Sequence, residues 1–168
     1  MPPDVRWRFV GHLQSNKAKP LLAGVPHLAA VETVDSAKLA TLLSAACAAC
    51  GRTTPLDVML QVNTSGEESK HGVAPGDAPA LAKHIAGCSG LHLSGLMTIG
   101  QPDYSSRPEN FTALAACRAE VAAALGRPET ELELSMGMSG DFEAAIEMGA
   151  DSVRVGSSIF GAREYPTK

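Results

Sequence analysis

The sequence predicts an α/β fold in which helices cover a parallel sheet. Strand-like and helix-like segments alternate along the chain, and each predicted strand is followed by a helical run or a loop rather than by a hairpin turn. Such alternation produces either an open doubly wound sheet or a barrel. Several predicted strands end in small or polar residues, which weakly favours the barrel, because barrel sites are built at the carboxyl ends of the strands. These ends are Gly11, Asn63, Thr98 and Gly156.

Six segments have the apolar or alternating pattern of β-strands. They are residues 8–11, 30–33, 56–63, 93–99, 132–136 and 153–156. Helical spacing of apolar residues predicts five helices. They are residues 16–22, 36–50, 75–88, 107–125 and 139–148. A closed barrel of this kind has eight strands, so two would be missing, whereas an open six-stranded sheet would need no others.

Composition indicates one globular domain. The chain has 168 residues, 45% of them hydrophobic, which is enough to bury a core. A net charge of -4 offers no basic field for nucleic acid, and no stretch approaches the roughly 20 apolar residues of a membrane span. Residues 1–6 contain no apolar signal core. We therefore expect a cytoplasmic location, or an organelle if a targeting segment precedes this sequence.

The cysteines and histidines show no spacing typical of a redox or metal site. Cys47 and Cys50 have the spacing of a redox pair, but they end a helical run, whereas a redox pair lies at a helix N-terminus. We expect all four cysteines to be buried thiols. The five histidines form no i,i+4 pair and have no neighbouring carboxylate at ligand spacing, so no metal site is predicted. They are His12, His27, His71, His84 and His92.

The stretch SMGMSGDF, residues 135–142, lies between a predicted strand and a predicted helix. Ser139 occupies the expected N-cap position, and a glycine-bearing loop at a helix start presents unpaired N–H groups that suit a phosphate. The alternative is a simple serine cap in which Gly137 and Gly140 only relieve the turn. Farther along, Arg154 alternates with two valines, so its side chain is expected to point into a barrel, where it needs a partner such as an inward carboxylate.

Five motifs in order resemble the pyridoxal phosphate homeostasis proteins, also called the YggS/PROSC family. The motifs are FVGHLQSNK (9–17), VNTSGEESKHG (62–72), GLMTIG (95–100), LSMGMS (134–139) and VRVGSSIFG (153–161). The resemblance covers nearly the whole chain. It implies a (β/α)8 TIM-type barrel related to the N-terminal domain of alanine racemase, holding pyridoxal 5'-phosphate at the carboxyl ends of its strands.

The resemblance also implies site residues. In this family the loops after the seventh and eighth strands bind the phosphate, and these map onto Ser139 and Gly140 and onto Gly156 and Ser157. By analogy with the related racemases, Arg154 would donate to the pyridine nitrogen and keep the ring a weak electron sink. Four further residues are weaker candidates: His12 and Asn63 beside the ring, Met97 on its face, and Lys70 as an accessory group reaching the aldehyde or phosphate.

The sequence departs from the family pattern at its start. The family's covalent lysine lies on the first strand, and the first two strands are absent, so residues 1–168 are expected to form a single incomplete barrel domain with about six of eight βα units. None of the six lysines maps onto the missing one. The chain is therefore either a piece of a longer protein or a shortened relative with altered function.

These expectations favour a non-catalytic protein that binds or carries pyridoxal phosphate in intracellular cofactor homeostasis, with apoenzymes that depend on this cofactor as possible partners. The alternative is an amino-acid racemase-like enzyme of the same barrel class. Such enzymes add a β-rich domain and a catalytic tyrosine, but the only tyrosines here are Tyr104 and Tyr165. A barrel that binds another phosphorylated compound is a third possibility.

Overall fold

The computed structural model describes residues 4–67, 70–100 and 108–161. Its six strands are β1 (Trp7–Phe9), β2 (Leu28–Val34), β3 (Leu56–Gln61), β4 (Leu91–Met97), β5 (Glu133–Met138) and β6 (Ser152–Arg154). The α-helices are α1 (Ala18–Gly24), α2 (Ala37–Ala49), α3 (Ala78–Ala86), α4 (Pro108–Leu125), α5 (Phe142–Glu147) and α6 (Ser157–Phe160). Short 3-10 helices precede α1, α3 and β5; they are Ser15–Lys17, Pro75–Asp77 and Glu129–Glu131.

The sheet is parallel throughout, and its strands lie side by side in the order β1 to β6. A doubly wound sheet reverses its strand order at a switch point, whereas successive units of a barrel add strands in sequence order. The topology therefore confirms the α/β class and decides for the barrel over the open doubly wound sheet.

A contact between β2 and β5 shows how strongly the sheet curls. These strands lie three positions apart, which in a flat sheet would be about 14 Å at roughly 4.8 Å per strand. Nevertheless, Ser135 Oγ on β5 donates to Glu32 Oε2 on β2 at 2.6 Å. The six strands thus form a half-barrel whose concave side brings distant strands into contact.

The main apolar core lies between the convex side of the sheet and the helices. Residues with no exposed surface come from both layers, including Leu43, Leu60, Leu96, Leu114 and Leu134. At Gly95 the strands approach so closely that a Cβ atom would collide with the Glu133 carbonyl. None of the described helices combines the length and apolar character that a bilayer-spanning segment needs.

Most predicted elements are present with shifted ends, but one helix start was wrong. The helix predicted over 36–50 is α2, and Ser36 is its N-cap, with its Oγ accepting from Leu39 N at 3.3 Å. Ser139, by contrast, is not the N-cap of α5, which begins at Phe142 after Asp141. The short helix α6 was not predicted, and residue 107, the expected start of α4, lies outside the described residues, as do Tyr104 and Tyr165.

The expectation of four buried thiols holds for only part of the set. Cys47 and Cys117 are buried, Cys88 is half-buried and Cys50 is exposed. Cys50 follows the last residue of α2, where helical periodicity no longer turns it toward the sheet. Burial raises the pKa of the Cys47, Cys88 and Cys117 thiols.

Candidate functional site

The predicted site residues follow the carboxyl ends of their strands. Ser139 and Gly140 follow β5, Arg154 ends β6, and Gly156 and Ser157 come two and three residues later. The weaker candidates also lie at this end: His12 after β1, Asn63 and Lys70 after β3, and Met97 as the last residue of β4. In parallel strands these ends share one rim of the half-barrel.

The loops after β5 and β6 are joined through Ser139. Its hydroxyl oxygen accepts from the Gly156 amide at 3.0 Å and from the Ser158 amide at 3.4 Å. The chain reaches this position through Gly137, whose φ of +91° disfavours other residues, and Asp141 Oδ1 then accepts from Met138 N at 2.6 Å. Two backbone donors therefore converge on one oxygen at the rim.

This donor set fits a phosphate group. The Ser139 hydroxyl already accepts from the two amides, and a phosphate oxygen in that place would accept the same bonds with charge assistance. Gly140 and Gly156 are exposed, and a Cβ at Gly156 would have no atom within 4 Å, so there is open space beside the amides. Ser157, the first residue of α6, is exposed next to them.

Arg154 lies on the concave side with two defined hydrogen bonds. Its Nη1 donates to Ser135 Oγ at 2.7 Å, and its Nη2 donates to the Thr98 carbonyl at 2.7 Å. Desolvation lowers the pKa of Arg154, and the nearby Glu32 and Asp141 carboxylates oppose that shift. The inward orientation matches the expectation from alternation. A guanidinium has five N–H groups, so these two bonds leave capacity for another acceptor.

Glu32 connects Arg154 to the opposite edge of the sheet. This carboxylate is 2% exposed and accepts from Ser135 Oγ and, at 2.6 Å, from Arg8 Nε. Arg8 also lies 3.6 Å from Glu133 on its exposed side. The sequence analysis missed Glu32, although a glutamate inside an otherwise apolar strand was a signal available in the sequence.

A cavity of about 180 Å³ opens at the ends of β3 and β4. Asn63 and Lys70 line it, together with Gln61, His71 and Thr98. Gln61 Nε2 donates to the His71 carbonyl at 3.2 Å, while its buried Oε1 has no hydrogen-bond partner within the described part of the chain. Thr98 joins the cavity to Arg154 through its carbonyl. Thr98 thus connects the cavity, which Asn63 and Lys70 line, to Arg154.

Two of the candidates are not among the residues that line this cavity. Met97 has no exposed surface and is not among the residues that line the cavity. His12 follows β1, two strands from the end of β3, and its ring stacks on His71 with 3.8 Å between centroids. Their assignment to the cofactor ring stays a prediction.

The barrel topology is that of a known class of protein, the alanine racemase-type barrels. The family model described as alanine racemase, N-terminal domain, matches residues 9–164. The pyridoxal phosphate homeostasis protein of Mus musculus is 48% identical over 99% of this chain and 62% of its own length. That of Schizosaccharomyces pombe is 47% identical over 97% of this chain and 68% of its own length.

Solved structures of similar proteins have the same fold. PipY of Synechococcus elongatus, solved with PLP bound, is 31% identical with a TM-score of 0.74, covering 95% of this chain and 72% of PipY. Alanine racemase of Clostridium difficile, at 14% identity, shares the fold with a TM-score of 0.68 over 95% of this chain and 40% of the racemase.

The chain therefore belongs to the pyridoxal phosphate homeostasis protein family, within the class of alanine racemase-type barrels. It spans about three-fifths of the length of its mammalian relatives, 62% for the mouse protein.

Proposed function

We propose that this chain binds pyridoxal 5'-phosphate and takes part in its homeostasis as a binding or carrier protein, without a reaction of its own. The observation that carries the proposal is the convergence of the Gly156 and Ser158 amides on Ser139 Oγ. In the bound state the phosphate accepts from these amides. Ser139 and Ser157 then donate from their hydroxyls, and Gly140 leaves room for the anion.

Arg154 recognises the ring in this proposal. Bound pyridoxal phosphate supplies a reactive aldehyde and an electron-withdrawing pyridine ring. Arg154 donates to the ring nitrogen and, since arginine keeps its proton, leaves that nitrogen unprotonated. The contacts to Ser135 and Thr98 hold the guanidinium in place for this role. Asn63 and Lys70 line the cavity beside Thr98, which supports including them in the proposed site.

The non-catalytic assignment rests on the names of the relatives. Relatives of high identity are named for homeostasis of the cofactor, whereas the alanine racemase likeness supports the fold alone. We infer further that the chain acts in the cytoplasm and that apoenzymes requiring the cofactor are its partners.

The test compares three single variants in binding of inorganic phosphate and of pyridoxal phosphate. Ser139→Ala removes a hydroxyl next to a charged acceptor, which is worth roughly 1.5–3 kcal/mol, or about a tenfold to hundredfold loss of affinity for both ligands. Ser158→Ala is the matched control, because it keeps the backbone amide that the proposal uses. Arg154→Gln should weaken only the intact cofactor, since inorganic phosphate has no ring.

Fluorescence titration gives the affinities, and circular dichroism checks that each variant remains folded. Unchanged affinity of folded Ser139→Ala for both ligands would show that the SMGMSGDF stretch only connects β5 to α5. Equal losses for Ser139→Ala and Ser158→Ala would assign the effect to loop distortion and contradict the specific role of Ser139.

A further inference from the structure

Three potential metal ligands from separate loops meet at the rim beside β1 to β3. His12 follows β1, Asp35 follows β2, and His71 lies in the loop after β3. Among the described residues, one ligand atom from each lies within 4.8 Å of the other two. His12 Nδ1 is 3.6 Å from Asp35 Oδ2, and the two imidazole rings stack at 13°. We propose that His12, Asp35 and His71 form a binding site for a divalent transition-metal ion, with Zn²⁺ as the best-suited occupant.

The backbone beside both histidines is fixed by neighbouring strands. Gly11, with a φ of +131°, turns the chain into His12, and Thr33 Oγ1 donates to the Gly11 carbonyl at 2.6 Å. On the other side, Gln61 Nε2 donates to the His71 carbonyl at 3.2 Å. The backbone at His12 and His71 is thus already held in place, which reduces the conformational entropy lost when a metal ion binds.

Gly72 fixes the turn after His71 more tightly still. Its φ is +117°, and a Cβ atom there would lie 2.7 Å from Asn63 N and 2.9 Å from the Val62 carbonyl carbon. Val73 then continues the contact, because its amide donates to the Gln61 carbonyl at 2.9 Å. Only glycine allows this close approach, which carries His71 back over the end of β3.

The ligand chemistry selects the kind of metal. Two imidazoles and one carboxylate suit Zn²⁺ and its neighbours in the first transition row, whereas Mg²⁺ prefers oxygen ligands. Zinc bonds of about 2.0–2.1 Å place tetrahedral ligand atoms roughly 3.3 Å apart. The three atoms therefore need to approach one another by at most about 1.5 Å, which side-chain rotation of the exposed histidines supplies. Water takes the fourth position.

A second histidine–carboxylate pair provides an internal control. His92 Nδ1 lies 2.9 Å from Asp57 Oδ1, closer than His12 is to Asp35. Yet no third ligand joins this pair among the described residues. If proximity of one histidine to one carboxylate were sufficient, this pair would bind metal at least as well. The third ligand, His71, is what distinguishes the two places.

The experiment titrates the 168-residue chain with Zn²⁺ against a chromophoric chelator, and separately with Co²⁺ to read the coordination from its visible spectrum. We expect one equivalent of each ion to bind, with the intense visible bands of a tetrahedral Co²⁺ site, and Mg²⁺ in excess to leave both titrations unchanged. We expect Zn²⁺ binding to weaken by more than about tenfold in each of the variants His12→Ala, Asp35→Ala and His71→Ala. Mutating residues that only hydrogen-bond to metal ligands already lowers metal affinity by about tenfold or more, so the loss of a ligand itself should cost at least as much.

Two variants serve as controls: His92→Ala removes the other pair, and Cys50→Ser removes the exposed thiol. Both should bind Zn²⁺ within about twofold of the unmodified chain, a difference of roughly 0.4 kcal/mol. The absence of stoichiometric binding by the folded chain would overturn the proposal. Losses in the control variants equal to those of the three ligand variants would overturn it as well. Neither result bears on the phosphate loops, which are tested separately with phosphate.

Discussion

Replacing Glu32 with glutamine removes the negative charge that lies between Arg8 and Arg154 in the half-barrel while keeping the side-chain volume. Glu32 is 2% exposed and accepts two hydrogen bonds of 2.6 Å, one from Arg8 and one from Ser135. Arg154 donates to the same Ser135 hydroxyl. The buried Glu32 carboxylate therefore binds the Arg8 guanidinium directly and is linked to the Arg154 guanidinium through the Ser135 hydroxyl.

The expected cost follows from the change in bond type. Glutamine offers one uncharged oxygen and an NH2 group in place of the two charged oxygens that accept from Arg8 and Ser135. A hydrogen bond to a charged group contributes roughly 1.5–3 kcal/mol and a neutral bond about 0.5–1.5 kcal/mol, so we take the difference, about 1–1.5 kcal/mol, as the loss at each of the two contacts. The sum is about 2–3 kcal/mol, and at this chain length each kcal/mol lowers Tm by about 2–4 °C. We therefore expect Glu32→Gln to lower Tm by roughly 4–12 °C.

Urea unfolding followed by circular dichroism, together with a thermal melt, measures both quantities. Glu133→Gln is the matched control, because Glu133 also faces Arg8 but at 3.6 Å and with a half-exposed side chain. An exposed ion pair of this kind contributes less than about 1 kcal/mol. Equal costs for the two variants would refute the reasoning that the buried carboxylate holds the interior together.

Three further predictions concern the lysines, the sheet edges and the thiols. Borohydride reduction of this 168-residue chain with pyridoxal phosphate, followed by intact mass, should show no stoichiometric pyridoxyl adduct, because none of its six lysines corresponds to the family's covalent lysine. Full labelling of one lysine, Lys70 for example, would contradict this expectation. Self-association is expected from the edges of the described sheet and from the Phe160 side chain, which is 85% exposed. In sedimentation the associated fraction should increase with protein concentration and should be smaller for Phe160→Lys. A monomer at every concentration would refute this prediction. Cys47 and Cys117 are buried, and burial raises the pKa of both thiols, whereas Cys50 is exposed to the reagent, so timed iodoacetamide labelling should modify Cys50 first. Simultaneous labelling of all three would mean that the core is open.

Local patterns predicted the elements but not all of their ends. The apolar spacing that predicted a helix over 36–50 is a local feature, and α2 begins at Ala37, one residue from the predicted start. The same reasoning placed a cap at Ser139, because a serine after a strand and before an apolar run has the same local pattern. In the structure its hydroxyl serves the loop after β6 instead, 17 residues away in sequence. A local pattern cannot distinguish the two, since the competing donors belong to another loop.

By itself, the sequence determined the α/β class, the alternation of strands and helices, and the turn that carries Ser139, because periodicity and turn chemistry act over a few residues; the family resemblance added the loop that carries Ser157. Only the tertiary structure decided which side chains meet. The curl of the sheet brings Glu32 to Ser135 across 103 residues, and the alignment of the strand ends brings His12 to Asp35 and His71. Such contacts depend on the register and curvature of the whole half-barrel. No single segment encodes them, so the interior charge network and the proposed metal site became visible only when the strands were assembled.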